Sequence, residues 1–506
     1  MATNESTDIA RRFHDATTHT PYSVRASTHG LEWDIKPFPF KIYSELSAIP
    51  LPRALDPVAV DTLVALDPDR AAPRAPLTLE TLAALLYHSA GVTRKRTYAG
   101  GEMLFRAAPS TGALYQTEVY VAVGAVDGLA SGLYHFCPGD FALRRLRDGD
   151  VRAALAESAA DDGIARAAAT VVLSAIYWRN TWKYQARGYR HLFWDSGTML
   201  ANLLAVASAL GQAPRLDTGF VDDAVNRLLG LDVEHEAALE LVVLGPETTP
   251  PAPALAVDDV RHDVVPLSSE EVDYPSLREM YTASRLASAG EVRRWRATRP
   301  GPSVVGVPAS RSLASLPPAR VAAARALGDT VQRRGSTRRF SHASLSAEEL
   351  ATTLFWATRG FAADVPCGLV ELFLIVNAVD GIASGAYRYD PGAHALETVR
   401  LGSFRRESGY LCLEQALGAD AAAVIYFLAP LDGLLRQAGN RAYRLINLEA
   451  GLIGGRAYLA AYALGFGASG LTFYDRAVVE FFAPASAGLD GVFVTALGRS
   501  QRPPSP

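Results

Sequence analysis

At 506 residues the chain is long enough for two or three domains, each burying its own core. A net charge of -4 on an ordinary mixture, 49% hydrophobic and 20% charged, gives no electrostatic reason to bind nucleic acid or an anionic membrane. The three scattered cysteines (Cys137, Cys367, Cys412) form neither a disulfide framework nor a metal-ligand spacing; they fit a reducing, cytoplasmic compartment, and no metal is expected.

In chain order, residues 1–60 read as an N-terminal extension. Its start is polar, without an apolar signal core, and its aromatic segment LEWDIKPFPFKIY is expected to pack across the first unit. Leu77–Gly91 reads as a helix behind a Thr cap. Phe105–Val121 (FRAAPSTGALYQTEVYV) runs a Pro-Ser-Thr-Gly turn into an aromatic strand; such a turn offers hydroxyls and unhindered N–H groups to a planar polar ligand. Val126–Leu143 fits a strand, an Asp-Gly turn, an aromatic strand and a Pro-Gly turn. Lys183 and Tyr184 precede Arg187–Gly211, a long helical pattern with small residues on one face. Leu239–Gly245 reads as a closing buried strand.

A Pro-rich linker, PETTPPAPALAVDD, and a polar connector to about Asp329 follow; then the pattern returns. Val379–Leu396 matches Val126–Leu143 at eleven of eighteen positions without a gap. Arg441–Gly465 matches Arg187–Gly211, Leu345–Gly360 parallels Leu77–Gly91, and Val492–Gly498 parallels Leu239–Gly245. The most apolar stretch, near Gly451 to Phe473, is interrupted by Arg456 and reads as a buried helix plus turn. The sequence therefore predicts two α+β units, 61–247 and 330–500, with a connector (248–329) and a short tail (501–506).

Duplication turns a two-fold dimer into one chain, and the differences between the copies show which of its two equivalent sites is kept. Copy two opens with QRRGSTRRF, where Arg334, Ser336 and Arg338 alternate so as to converge on a phosphate. Copy one has ALDPDRAAP there, and only Arg70 remains. Conversely, the turn Pro109, Ser110, Thr111, Gly112 of copy one is lost in AADVPCGLVELFLIV, and Lys183–Tyr184 align with Gln437–Ala438. Copy two also carries GFGASG, with Gly467, Ala468 and Ser469, and Arg499 after its last strand; copy one has GQAPRL and LGPE. GFGASG follows a helical pattern rather than a strand, so it reads as a glycine turn against a flat ring, not a dinucleotide fingerprint. Taken singly, these residues read as solvated surface or an ordinary hairpin loop. Their complementary losses point to one composite site.

These motifs resemble the nitroreductase superfamily, specifically the tandem SagB-type (thiazole/oxazole-forming) dehydrogenases, over both copies and the N-terminal ARRFHDATTHTPYSVRAS. The resemblance implies two fused FMN-dependent domains forming an intrachain pseudo-dimer. The family's phosphate motif matches Arg334, Ser336 and Arg338. Its flavin lip, supplied by the opposite protomer, matches Pro109, Ser110, Gly112, Ala113, Leu114 and Tyr115. Its catalytic Lys-Tyr pair matches Lys183 and Tyr184. The implied reaction is FMN-dependent oxidation of an azoline, in a peptide or related natural product, to an azole, in company with a YcaO-type cyclodehydratase. Tyr184 is the candidate base if the adjacent ammonium lowers its pKa; Lys183 is the alternative if desolvated. Two other readings use the same residues: an NAD(P)H-dependent reductase of nitro compounds or quinones, and a non-catalytic flavin-binding subunit of a peptide-modifying complex. The segment VTRKRTYAGGEMLFR, just before the lip, departs from the family's pattern.

Overall fold

The computed structural model describes residues 4–70, 72–98, 101–252, 257–301 and 313–501. Each copy is built on a seven-stranded antiparallel sheet, and the two sheets have the same strand order. In copy one the order is Ala48–Pro50, Ala142–Asp148, Gly132–Cys137, Thr117–Val123, Ala167–Ile176, Glu236–Glu247, Arg215–Asp217. Copy two repeats it as Leu313–Ser315, Ala395–Leu401, Gly385–Asp390, Glu371–Val376, Ala423–Ala429, Asp490–Gly498, Gly467–Gly470. Central strands such as Ala167–Ile176 are buried throughout because their runs of Ala, Val, Leu and Ile are covered on both faces. The helices Leu79–Ala90 and Ala347–Thr358 start at Thr78 and Ser346, whose side chains accept from the third helical N–H, as the sequence predicts.

Two long helices, Gly188–Ala209 and Arg441–Ala463, pack against each other at the centre. Gly197 and Gly451 occupy equivalent positions in the repeat and mark their crossing. A Cβ on Gly197 would lie 2.5 Å from Leu448 O, and one on Gly451 would overlap Trp194 O; Leu448 and Trp194 are themselves equivalent. Only glycine permits backbones to approach this closely, and the reciprocity is that of a two-fold axis. Among the described residues no helix is long and apolar enough to cross a membrane.

A second reciprocal contact flanks the crossing. Arg187 and Arg190 of copy one donate to Asp475 of copy two at 3.0 and 2.6 Å. Their equivalents Arg441 and Arg444 donate to Asp222 of copy one, each at 2.7 Å. All six residues are buried. Each aspartate opens a helix, at Asp222–Leu229 and Asp475–Phe482, where a carboxylate also suits the helix dipole.

These triads show where the repeat begins. His19 N donates to Asp475 and Leu286 N to Asp222; Arg190 donates to His14 O and Arg444 to Tyr281 O. The helices Asp8–Ala16 and Pro275–Ala283 therefore play the same part in the two copies. The segment read from sequence as a connector is the upstream extension of copy two. Each sheet likewise takes an edge strand, Ala48–Pro50 or Leu313–Ser315, from before the boundaries drawn at 61 and 330. Three-residue strands and single helices carry too little periodicity to register as a repeat. The N-terminal extension does not lie across the first unit alone. Phe13 packs edge-on to both Tyr189 and Tyr443, and Asn4 Nδ2 donates to Ala438 O at 3.1 Å, whereas Lys41 pairs with Glu236 at 2.6 Å within copy one.

Substituting Gly451→Ala should cost about 1–3 kcal/mol, the usual penalty for overpacking a tight interior. Thermal unfolding checks this, and an unchanged Tm would show that the helices slide apart at no cost.

Candidate active site

The copy-one turn lies between a hairpin (strands Val92–Tyr98 and Gly101–Arg106) and the strand Thr117–Val123. It is held from below by Asp195 on the central helix, which accepts from Ser110 Oγ (2.6 Å), Thr111 Oγ1 (2.7 Å), Thr111 N (2.9 Å) and Gln116 Nε2 (2.7 Å). Thr198 Oγ1 donates to Pro109 O at 2.7 Å. The hydroxyls that the sequence offers to a ligand are thus turned inward, and they shape the lip. Burial pushes the Asp195 carboxyl up to about 6 against the pull of these donors. Copy two keeps the device: Glu449, equivalent to Asp195, accepts from the backbone N–H groups of Gly368, Leu369 and Val370 and is raised by burial to about 7. Comparing the copies for losses could not reveal a carboxylate kept in both; the signal was the single acid in each long helix.

Lys183 and Tyr184 end the helix Tyr177–Tyr184, and both are half-buried. The Tyr184 hydroxyl lies beneath the turn, 3.0 Å from where a Cβ on Gly112 would stand. Lys183 Nζ lies 5.4 Å from the centre of the Tyr184 ring, and the two groups titrate in opposite senses. Burial and the charge of Arg338 lower Lys183 from the usual lysine value. Burial and Asp195 raise Tyr184 above the usual phenol value despite Arg338. The sequence-based expectation of an acidified Tyr184 is therefore reversed. Desolvation outweighs the neighbouring charges, and the same desolvation makes Lys183 the easier group to hold neutral.

Arg338 comes from copy two, and its charge acts on both Lys183 and Tyr184 of copy one. It is exposed and has no ion-pair partner among the described residues. Ser336 Oγ lies 3.3 Å from the Tyr458 hydroxyl, which accepts from Gly470 N at 2.6 Å. Thr337 N donates to Ala468 O, and Gly467 must be glycine because a Cβ there would strike Thr337 Oγ1. Gly467, Ala468 and Ser469, on the edge strand of the second sheet, thus support the extended motif segment. Arg334 is buried and donates to Ala107 O (2.8 Å) and Arg106 O (3.1 Å) of copy one. Arg499 donates from Nη2 to both carboxylate oxygens of Glu349 at 2.8 Å, which ties it to a helix N-terminus of its own copy.

Apart from Glu449, the reciprocal position differs. Arg70 donates to Ser208 O at 2.6 Å, and Arg456, standing where copy one has Asn202, donates to Arg359 O, Gly360 O and Leu66 O. Leu204 and Ser208 replace Tyr458 and Tyr462, leaving a cavity of about 360 Å3. Gln437 accepts from Gly301 N and Ala438 O from Trp295 Nε1, so the upstream segment of copy two covers that side.

As pH falls through about 6, Asp195 takes a proton and must release an acceptor position on the lip. Thr111 N–H should then exchange with solvent about tenfold faster after correction for the intrinsic pH dependence, and Asp195→Asn should show the faster exchange at every pH. Equal protection in the variant would mean that the turn holds itself.

The chain is 32% identical over 155 residues to a nitroreductase-like protein of Methanocaldococcus jannaschii, covering 30% of this chain and 75% of that one. It is 26% identical over 143 residues to the microcin B17-processing protein McbC of Escherichia coli, covering 27% of this chain and about half (53%) of McbC. The crystal structure of a nitroreductase-like protein of Anabaena variabilis superposes with a TM-score of 0.80 at 28% identity, covering 97% of this chain and 99% of that one. The sequence profile of the Nitroreductase family matches residues 70–245 and 331–486, one segment in each copy, and the chain belongs to that family.

Proposed function

We propose that the protein is an FMN-dependent dehydrogenase of the SagB type, oxidising azolines in a peptide or related natural product to azoles at one composite site per chain. The nitroreductase family is generally one of flavin-dependent oxidoreductases. The observation that carries the reading is that Tyr184 of copy one lies beneath the Gly112 turn while the charge of Arg338 from copy two acts on both Tyr184 and Lys183. A free guanidinium calls for an anion, and the hydroxyl of Ser336 on the same segment completes a donor set that fits a phosphate. When bound, FMN supplies the two-electron acceptor.

In this reading Lys183, held toward its neutral form, takes the Cα proton of the azoline ring. Tyr184 stays protonated and donates a hydrogen bond, while its ring supports the lip. Asp195 fixes the lip, and with it the height of the turn over the site. The similarity to a microcin B17-processing protein supports a peptide substrate, and with it a YcaO-type cyclodehydratase that forms the azoline. A second reading, reduction of nitro compounds or quinones by NAD(P)H, is favoured by the nitroreductase-like relatives. Consumption of NADPH with a nitroarene, in the absence of any azoline oxidation, would support it instead.

Lys183→Ala should reduce turnover of a synthetic azoline peptide by about 10²–10⁴-fold, the usual contribution of a general base, with flavin still bound. Tyr184→Phe should lose less, and wild-type rates in both variants would remove the assignment. Flavin absorbance against protein concentration should give one FMN per chain. Arg338→Ala should weaken FMN about tenfold or more, and Arg70→Ala should not. Two FMN per chain, or equal losses at both arginines, would show that the reciprocal site is in use.

A further inference from the structure

We infer that Arg94, on the copy-one hairpin, is a cationic ligand of the cofactor phosphate, reached across the interface between the copies; the inference rests on the FMN reading above. The hairpin strands Val92–Tyr98 and Gly101–Arg106 pair with each other and, among the described residues, with no other strand. Copy two has nothing comparable: where residues 92–108 stand in copy one, it has only 361–365 between its helix and its turn. The hairpin is therefore private to the copy that carries the lip and the Lys-Tyr pair, and it runs directly into that lip.

Its contact with copy two is an exchange of arginines. Arg94 Nη2 donates to Arg334 O at 2.9 Å, while Arg334 Nε and Nη2 return to Ala107 O and Arg106 O at the hairpin's end. The first guanidinium of the phosphate motif thus has two of its three nitrogens engaged with copy-one backbone. Arg94 brings a guanidinium in the opposite direction: its terminal nitrogens lie 3.4 and 3.8 Å from where a Cβ on Gly335 would stand, over the middle of the motif. It has no carboxylate partner among the described residues, whereas its neighbour Lys95 pairs with Glu102 at 2.5 Å. The Arg94 charge also helps to lower the pKa of Arg334. Like charges brought together without counter-ions are stabilised by a bound anion. The ring of Phe105, 5.9 Å from Arg94, helps to fix its side chain.

Arg94, Ser336 and Arg338 would together hold the phosphate, and Arg94 would thereby tie the hairpin, and with it the lip, to copy two. The test uses the full chain and compares FMN with riboflavin, which lacks the phosphate, by quenching of flavin fluorescence. Wild type should prefer FMN. Arg94→Ala should weaken FMN about tenfold or more and leave riboflavin unchanged, Arg94→Lys should recover part of the loss, and Lys95→Ala should change neither. If Arg94→Ala weakens both flavins alike, or neither, the hairpin only packs and the inference is overturned while the FMN reading stands. A wild-type chain that binds neither flavin, or both equally, overturns the phosphate reading and this inference with it.

Discussion

The structure depends on the crossing of two helices at Gly197 and Gly451, where backbone meets backbone around a pseudo-two-fold axis. A close crossing brings the two sheets near enough for each copy to reach the other's helix termini, and the Arg–Arg–Asp triads lie at those termini. Buried guanidiniums and carboxylates tolerate little displacement, because an ion separated from its partner in a low-dielectric interior is costly. The crossing and the triads together fix the two copies as a single body, and the site between them inherits that rigidity.

Symmetry holds where packing requires it and fails around the proposed site. Both copies keep the sheet order, the upstream helix, the triads and a helix carboxylate beneath the turn. All of these lie in the shared interior, where a loss on one side weakens the other. The groups of the proposed site carry no such constraint. At the reciprocal position, Leu204 and Ser208 stand for two tyrosines, and arginines bind backbone carbonyls. One half of a duplicated enzyme can change freely at its surface while its core remains symmetric.

Much of the proposed site is read from the sequence because it consists of differences between copies: Lys183–Tyr184 against Gln437–Ala438, and Arg334, Ser336 and Arg338 against ALDPDRAAP. What the comparison could not supply was protonation. Adjacency in sequence suggests that an ammonium acidifies a phenol. In the fold Lys183 Nζ lies over the tyrosine ring, and burial dominates the titration of both. Nor could adjacency show that Ser110 and Thr111 turn inward to Asp195, or that Arg334 and Arg499 are engaged with protein groups.

By itself the sequence determined that the chain is duplicated, that each copy mixes strands with helices of recognisable period, and which residues each copy alone retains. These are local properties: alternation, capping residues and identities at a constant offset survive reading along one dimension. Tertiary structure alone decided that residues 275–283 repeat the N-terminal helix, since that equivalence lies in how Tyr281 O and His14 O receive arginines, not in shared letters. It alone decided which carboxylate holds the lip and which amine is desolvated. Burial and the distance between charges depend on which remote segments pack together, and no local pattern encodes them.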